Sequence, residues 1–123
     1  MIKIFTTGGT IEGYDYDRPE YKQKNIRTIQ NLIKSIGNEN DYSIEKIFDK
    51  DSRFVTDEDR ALVASKIENS PFSKILLTHG TITMAETAKY LGLLNFEKVI
   101  VLTGAFILGT KPNSDAAFNL GFA

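Results

Sequence analysis

KILLTHGTITMAETAKYLGLLNFEKVIVLTG, residues 74–104, decides the fold. Lys74 to Thr78 is a short apolar run that stops at His79 and Gly80, as a buried strand does when it opens into a loop. Met84, Ala88, Leu91 and Leu94 then recur at helical spacing, and Lys98 to Thr103 (KVIVLT) is the most continuous β-branched run in the chain. Strand, loop, helix and strand in that order make a βαβ unit, and the second strand is expected to be a central one covered on both faces.

The same alternation extends toward the amino terminus. Ile2, Ile4 and Phe5 form a brief strand that breaks at Gly8 and Gly9. Residues 13–24 are polar and tyrosine-rich, with Pro19, and read as a loop. Ile26, Ile29, Leu32, Ile33 and Ile36 predict an amphipathic helix over residues 25–36, ended by Gly37 and Asn38. Tyr42, Ile44, Ile47 and Phe48 suggest a second strand. Thr56, followed by Asp57, Glu58 and Asp59, puts a capping hydroxyl and three carboxylates at a helix start, where free N–H groups and the helix dipole favour both. Leu62, Val63 and Ile67 are expected to give that helix its apolar face. Ser114 is placed to cap a last helix carrying Ala116, Ala117, Phe118, Leu120 and Phe122. Four strands alternating with helices imply an α/β fold of three layers, a mostly parallel sheet with helices on both faces. In such sheets ligands bind beyond the carboxyl ends of the strands. The loops at Thr7–Glu12, Asp51–Arg53, His79–Thr83 and Gly104–Asp115 are therefore expected to share one rim.

Composition narrows the function. Fifteen basic against sixteen acidic residues leave a net charge of −1, which supplies no field to gather nucleic acid or anionic lipid. The absence of cysteine excludes disulfides and thiolate metal sites, and one histidine makes a zinc site a poor reading. No segment approaches the roughly 18 apolar residues of a membrane helix. The expectation is a cytoplasmic protein with no cofactor, no metal, no nucleic-acid partner and no membrane, acting on a small neutral or zwitterionic molecule.

Two loops carry the chemistry. Thr6-Thr7-Gly8-Gly9-Thr10-Ile11-Glu12 follows the first strand, and its glycines let the backbone turn sharply and display the Thr10 hydroxyl. A hydroxyl is a weak nucleophile until a base or polarising group acts on it, so other loops must contribute. Thr78-His79-Gly80-Thr81-Ile82-Thr83-Met84 follows the third strand, and two such loops are able to hold a carboxamide between them. His79 reads as structural, and the Asp57-Glu58-Asp59 cluster as a helix start and not a metal site.

These strings in this order, TTGGTIE, HGTxTMxET and a strand ending VLTGA, resemble the L-asparaginase family. The likeness continues through Asp51-Ser52-Arg53 and through Ser114-Asp115 with Phe118-Asn119-Leu120, and it covers essentially the whole chain. It corresponds to the family's amino-terminal domain, particularly a short single-domain variety. The resemblance implies one domain over residues 1–123, shortened at its carboxy end, that hydrolyses L-asparagine or a related small amide. It implies that Thr10 is the nucleophile, that Thr81 is a second catalytic threonine, and that Tyr21 is the tyrosine closing over the site, with Tyr14 and Tyr16 as competitors for that role. It also implies substrate contacts from Gly9, Ser52, Arg53, Gly80, Ile82 and Ala105, Ser52 being matched to a serine that holds the substrate α-carboxylate.

Two departures stand out. The family motif reads HGTDTM, but residue 82 is isoleucine, which can neither bind a substrate ammonium nor complete a charged catalytic set. The family's lysine falls downstream of Asn119, beyond Ala123, and Lys111 is a poor substitute by sequence position. The alternative expectation is therefore a catalytically impaired member serving as a small-ligand-binding or oligomeric scaffold. Phe118, Leu120 and Phe122 are expected to be covered by a second copy of the chain, making a homo-oligomer.

Overall fold

A computed structural model of the chain describes residues 1–18 and 28–123. The elements run β1 (Ile2–Thr6), α1 (Thr28–Ser35), β2 (Tyr42–Lys46), α2 (Asp57–Glu68), β3 (Lys74–Thr78), α3 (Met84–Gly92), β4 (Val99–Thr103) and α4 (Ala116–Phe122). Short 3-10 turns follow β1 at Thr10–Glu12 and precede α2 at Ser52–Phe54. The part of the helix expected before Thr28 lies outside the described residues.

The four strands form one sheet in the order β2-β1-β3-β4, with every neighbouring pair parallel. Successive side chains on a strand point to opposite faces, and the two cores follow that period. Ile4 and Leu76 face Ile29, Ile33, Ala116 and Leu120 of α1 and α4. Phe5, Ile75 and Leu77 face Val63, Ala64 and Ile67 of α2 and Leu91 of α3. Helices thus cover both faces, giving the three-layer α/β architecture. Among the described residues no helix is long and apolar enough to cross a membrane.

Register sets up the site. Thr6 lies opposite Thr78, and Thr78 opposite Thr103, so β1, β3 and β4 end at one level and their loops leave side by side. The Thr7 hydroxyl donates to the Thr78 carbonyl at 2.7 Å, tying the first two loops together just past the sheet.

Several expectations need correction. The run at 98–103 forms an edge strand among the described residues, with Val99 64% exposed, and the centre of the sheet belongs to β1 and β3. A β-branched run reports fitness for a pleated surface, whereas lateral order is fixed by which strands pair. On α2 the inward face is Arg60, Val63, Ala64 and Ile67, and Leu62, one residue around the helix, is exposed. On α3 Ala88 is exposed, as is Leu94 beyond the helix end, while the polar Thr87 is fully buried, because hydrogen bonds satisfy its hydroxyl. On α4, Leu120 is buried, whereas Phe118 and Phe122 are exposed and stack on one another with ring centroids 6.1 Å apart.

The helix caps follow local chemistry. The Thr56 hydroxyl accepts from the Asp59 N–H at 3.2 Å and the Asp59 carboxylate accepts from the Thr56 N–H at 2.9 Å, a reciprocal capping box. Before α4 the capping position falls on Asp115 and not, as expected, on Ser114, whose hydroxyl one residue earlier accepts from the Ala116 N–H at 3.0 Å.

Candidate functional site

At the carboxyl end of the sheet lies a cleft of about 460 Å³, a size suited to one small molecule. Gly9 and Thr10 line it from the loop after β1, Asp51 to Arg53 from the loop before α2, Gly80 to Ile82 from the loop after β3, and Phe106 to Leu108 with Lys111 from the loop after β4. Tyr14 to Asp17 complete the wall.

The loop carrying Thr10 is held at several points. Gly8 and Gly9 both adopt positive φ, near +94° and +93°, a conformation that side-chain-bearing residues rarely take. The Gly8 N–H donates to the buried Glu12 carboxylate, and the Gly9 N–H donates to the Tyr16 phenol oxygen at 2.8 Å. The Thr10 carbonyl accepts from Gly13 at 2.9 Å and from Gly109 at 3.0 Å, so the loop after β4 braces the loop after β1. Burial pushes the Tyr16 phenol up to about 12, with the Glu12, Asp49 and Asp51 carboxylates adding to the shift against the Gly9 hydrogen bond. Tyr16 therefore keeps its proton at neutral pH and presents an O–H donor. Burial likewise pushes the Glu12 carboxyl up to about 7, opposed by the Gly8 N–H.

The loop carrying Thr81 is fastened across the cleft. Ser52 is almost fully buried, and its hydroxyl oxygen accepts from Ile82 N at 3.1 Å and Thr83 N at 3.2 Å, while the Thr83 hydroxyl donates to the Ser52 carbonyl at 2.6 Å. Ser52 thus satisfies free N–H groups at the start of α3 from another loop, and what remains for a ligand is its single O–H donor.

His79 is part of the scaffold. A carbonyl can only accept, so the 2.7 Å contact between Nδ1 and the Gly80 oxygen requires Nδ1–H, which leaves Nε2 to accept from the Thr87 hydroxyl at 2.9 Å. Thr87 in turn accepts from Arg60 Nε at 3.0 Å. Burial holds the imidazole below its ordinary value, as suits this neutral tautomer.

Arg53 lines the cleft but its guanidinium is engaged by Asp51, with Nε at 2.8 Å and Nη2 at 2.5 Å, and that pairing holds the Asp51 carboxyl below its usual range. Of the residues singled out from sequence, Gly9, Thr10, Ser52, Arg53, Gly80, Thr81 and Ile82 converge on the cleft. Ala105 does not line it: its side chain is buried in the core between the sheet and α1 and α4, and the neighbouring Phe106 and Ile107 face the cavity. Tyr21 lies outside the described residues; Tyr14 and Tyr16 both line the cleft. Lys111, discounted on sequence position, lines the cleft as well, because the loop after β4 folds back over the Thr10 turn. Sequence reasoning passed over Phe106 and Ile107, which follow Gly104 and Ala105 in the loop after β4. Among the described residues no group of three or more His, Asp or Glu is arranged to hold a metal ion.

A family model described as "Asparaginase, N-terminal" matches residues 1–123. The chain is 34% identical to the "Probable L-asparaginase periplasmic" of Haemophilus influenzae over 97% of its own length and 36% of that protein. It is 32% identical to one component of the glutamyl-tRNA(Gln) amidotransferase of Pyrococcus furiosus, again over 97% of the chain, and covers 29% of that protein. Among solved structures, the probable cytoplasmic L-asparaginase of Campylobacter jejuni superposes with a TM-score of 0.79 at 34% identity, over 98% of this chain and 39% of that one. The chain spans about a third of the length of the curated relatives it matches.

Proposed function

This chain belongs to the asparaginase family, matching its amino-terminal domain, and on that premise we propose that its cleft hydrolyses a small carboxamide, L-asparagine or a related amide, with Thr10 as nucleophile. The observation that carries this reading is that Thr10 and Thr81 line one cleft of about 460 Å³ from loops leaving adjacent strands. In the first step the Thr10 oxygen bonds to the amide carbonyl carbon, the C–N bond breaks, and ammonia leaves with the hydroxyl proton. In the second step water adds to the resulting ester, the ester C–O bond breaks, and the proton returns to Thr10. The net change is one amide and one water converted to a carboxylate and ammonium. Thr81, from the loop after β3, orients the carbonyl and the attacking water, and Tyr16 and Lys111 supply O–H and N–H donors for the charge that develops on oxygen.

The test is ammonia release from a panel of asparagine, glutamine and N-acetylasparagine. Thr10→Ala is expected to fall to background, and Thr81→Ala to lose on the order of 10²- to 10⁴-fold. Equal release from the parent chain and Thr10→Ala would overturn the reading and leave a ligand-binding scaffold in its place.

A further inference from the structure

We propose that the cleft selects amides whose α-nitrogen is acylated and therefore uncharged, with the acyl group seated on Ile82 and Phe106 and the carboxylate facing Lys111. This rests on the amidohydrolase reading above and names its substrate class. Four of the described residues that line the cleft beside its hydroxyls and charges are apolar, Ile82, Phe106, Ile107 and Leu108, and three of them are exposed: Ile82 63%, Phe106 83% and Ile107 37%.

Their backbones are fixed. Ile82 N–H is bonded to the Ser52 hydroxyl, and its neighbour Thr83 is bonded to Ser52 twice. Phe106 N–H donates to the Asp115 carboxylate, with both oxygens within 3.1 Å, and Ile107 N–H donates to the same group at 3.0 Å. Two buried or half-buried anchors thus fix the backbone beneath this apolar wall, and apolar surface presented in a cleft favours a ligand with apolar surface to cover it.

The charges point the same way. Among the described residues the carboxylates lining the cleft are Asp15, Asp17 and Asp51. Asp51 and Asp17 both face the Arg53 guanidinium, at 2.5 Å and 4.0 Å, and Asp15 accepts from the Asp17 N–H at 3.2 Å. An α-ammonium seated beside Ile82 exchanges its hydration shell for a sec-butyl group, whereas an acyl group in the same place gains contact. Each well-placed methylene is worth roughly tenfold or more in discrimination.

Binding of N-acetyl-L-aspartate and L-aspartate, the products and so free of turnover, tests this by calorimetric titration. N-acetylaspartate is expected to bind at least about tenfold more tightly, and Ile82→Asp, a change at an exposed position, is expected to reverse the order. Phe106→Ser provides a second variant and is expected to weaken N-acetylaspartate alone. Equal or tighter aspartate binding by the parent chain, or an unchanged ratio in Ile82→Asp, would overturn the proposal. So would binding of neither ligand together with dimers that Phe106→Ser dissociates, which would make the wall an interface between copies. Ammonia release separates the two readings. The expected binding order without release from N-acetylasparagine keeps the specificity and refutes the hydrolase, while faster release from asparagine keeps the hydrolase and refutes the specificity.

Discussion

Gly9 and Gly80 meet with no room for a side chain between them: a β-carbon on Gly9 would stand 2.8 Å from the Gly80 amide nitrogen and 2.9 Å from its α-carbon. Each glycine directly precedes a threonine of the cleft, so this contact sets how closely Thr10 and Thr81 approach. Gly80 is pressed in turn by Ser52, whose Cβ and hydroxyl oxygen would lie 2.8 Å from an added β-carbon.

Gly9→Ala is expected to cost about 1–3 kcal/mol of stability, through strain at positive φ and the displaced Gly80 loop. Activity is expected to fall further than stability explains, because the two hydroxyls separate. Urea denaturation alongside ammonia release checks both; a Gly9→Ala chain with parental stability and rate would show that the loops do not depend on this contact.

Glu12 makes stability depend on pH. Its carboxyl titrates at about 7 in the fold against an ordinary value of 4.5, burial being the main cause. The folded chain therefore holds a proton between these values that the unfolded chain has released, and stability falls as pH rises from 4.5 through 7. The full loss is on the order of 3 kcal/mol. Glu12→Gln is expected to flatten the urea midpoint across that window; an equally steep decline in that variant would assign the loss to other groups.

The Arg60, Thr87 and His79 chain predicts a polar dependence inside the core. Thr87→Val keeps the side-chain shape but leaves Arg60 Nε and His79 Nε2 without the hydroxyl that serves both. Two buried polar groups deprived at once cost roughly 2–4 kcal/mol. A thermal melt reads this directly, and Thr87→Ser, which retains the hydroxyl, is expected to recover most of the loss.

Much of this was legible from residue order. The strands were readable because each apolar run is short and ends at glycine or a polar turn, and the cap at Thr56 because a hydroxyl stands before three carboxylates where free N–H groups favour both. The convergence of four loops follows from strand direction alone. Lateral position was not legible: Val99 to Thr103 reads as central but, among the described residues, pairs on one side only, and pairing is a long-range property that composition does not encode. Nor was the burial of Thr87, Arg60 and Glu12. Thr87 and Arg60 are partners 27 residues apart, Glu12 is covered only once the loop after β1 has closed, and each reads locally as surface. Lys111 reached the cleft through a fold-back that a backbone bond from Gly109 to the Thr10 carbonyl ties to the loop after β1.

Peptide mapping by mass spectrometry of chain quenched during turnover of a small amide tests the assignment of Thr10 most directly. An acyl ester is expected on the peptide bearing Thr10, absent in Thr10→Ala and accumulating in Thr81→Ala as its removal slows. An adduct on Thr81 or Lys111 in place of Thr10, or ammonia release without any adduct in either chain, would contradict it.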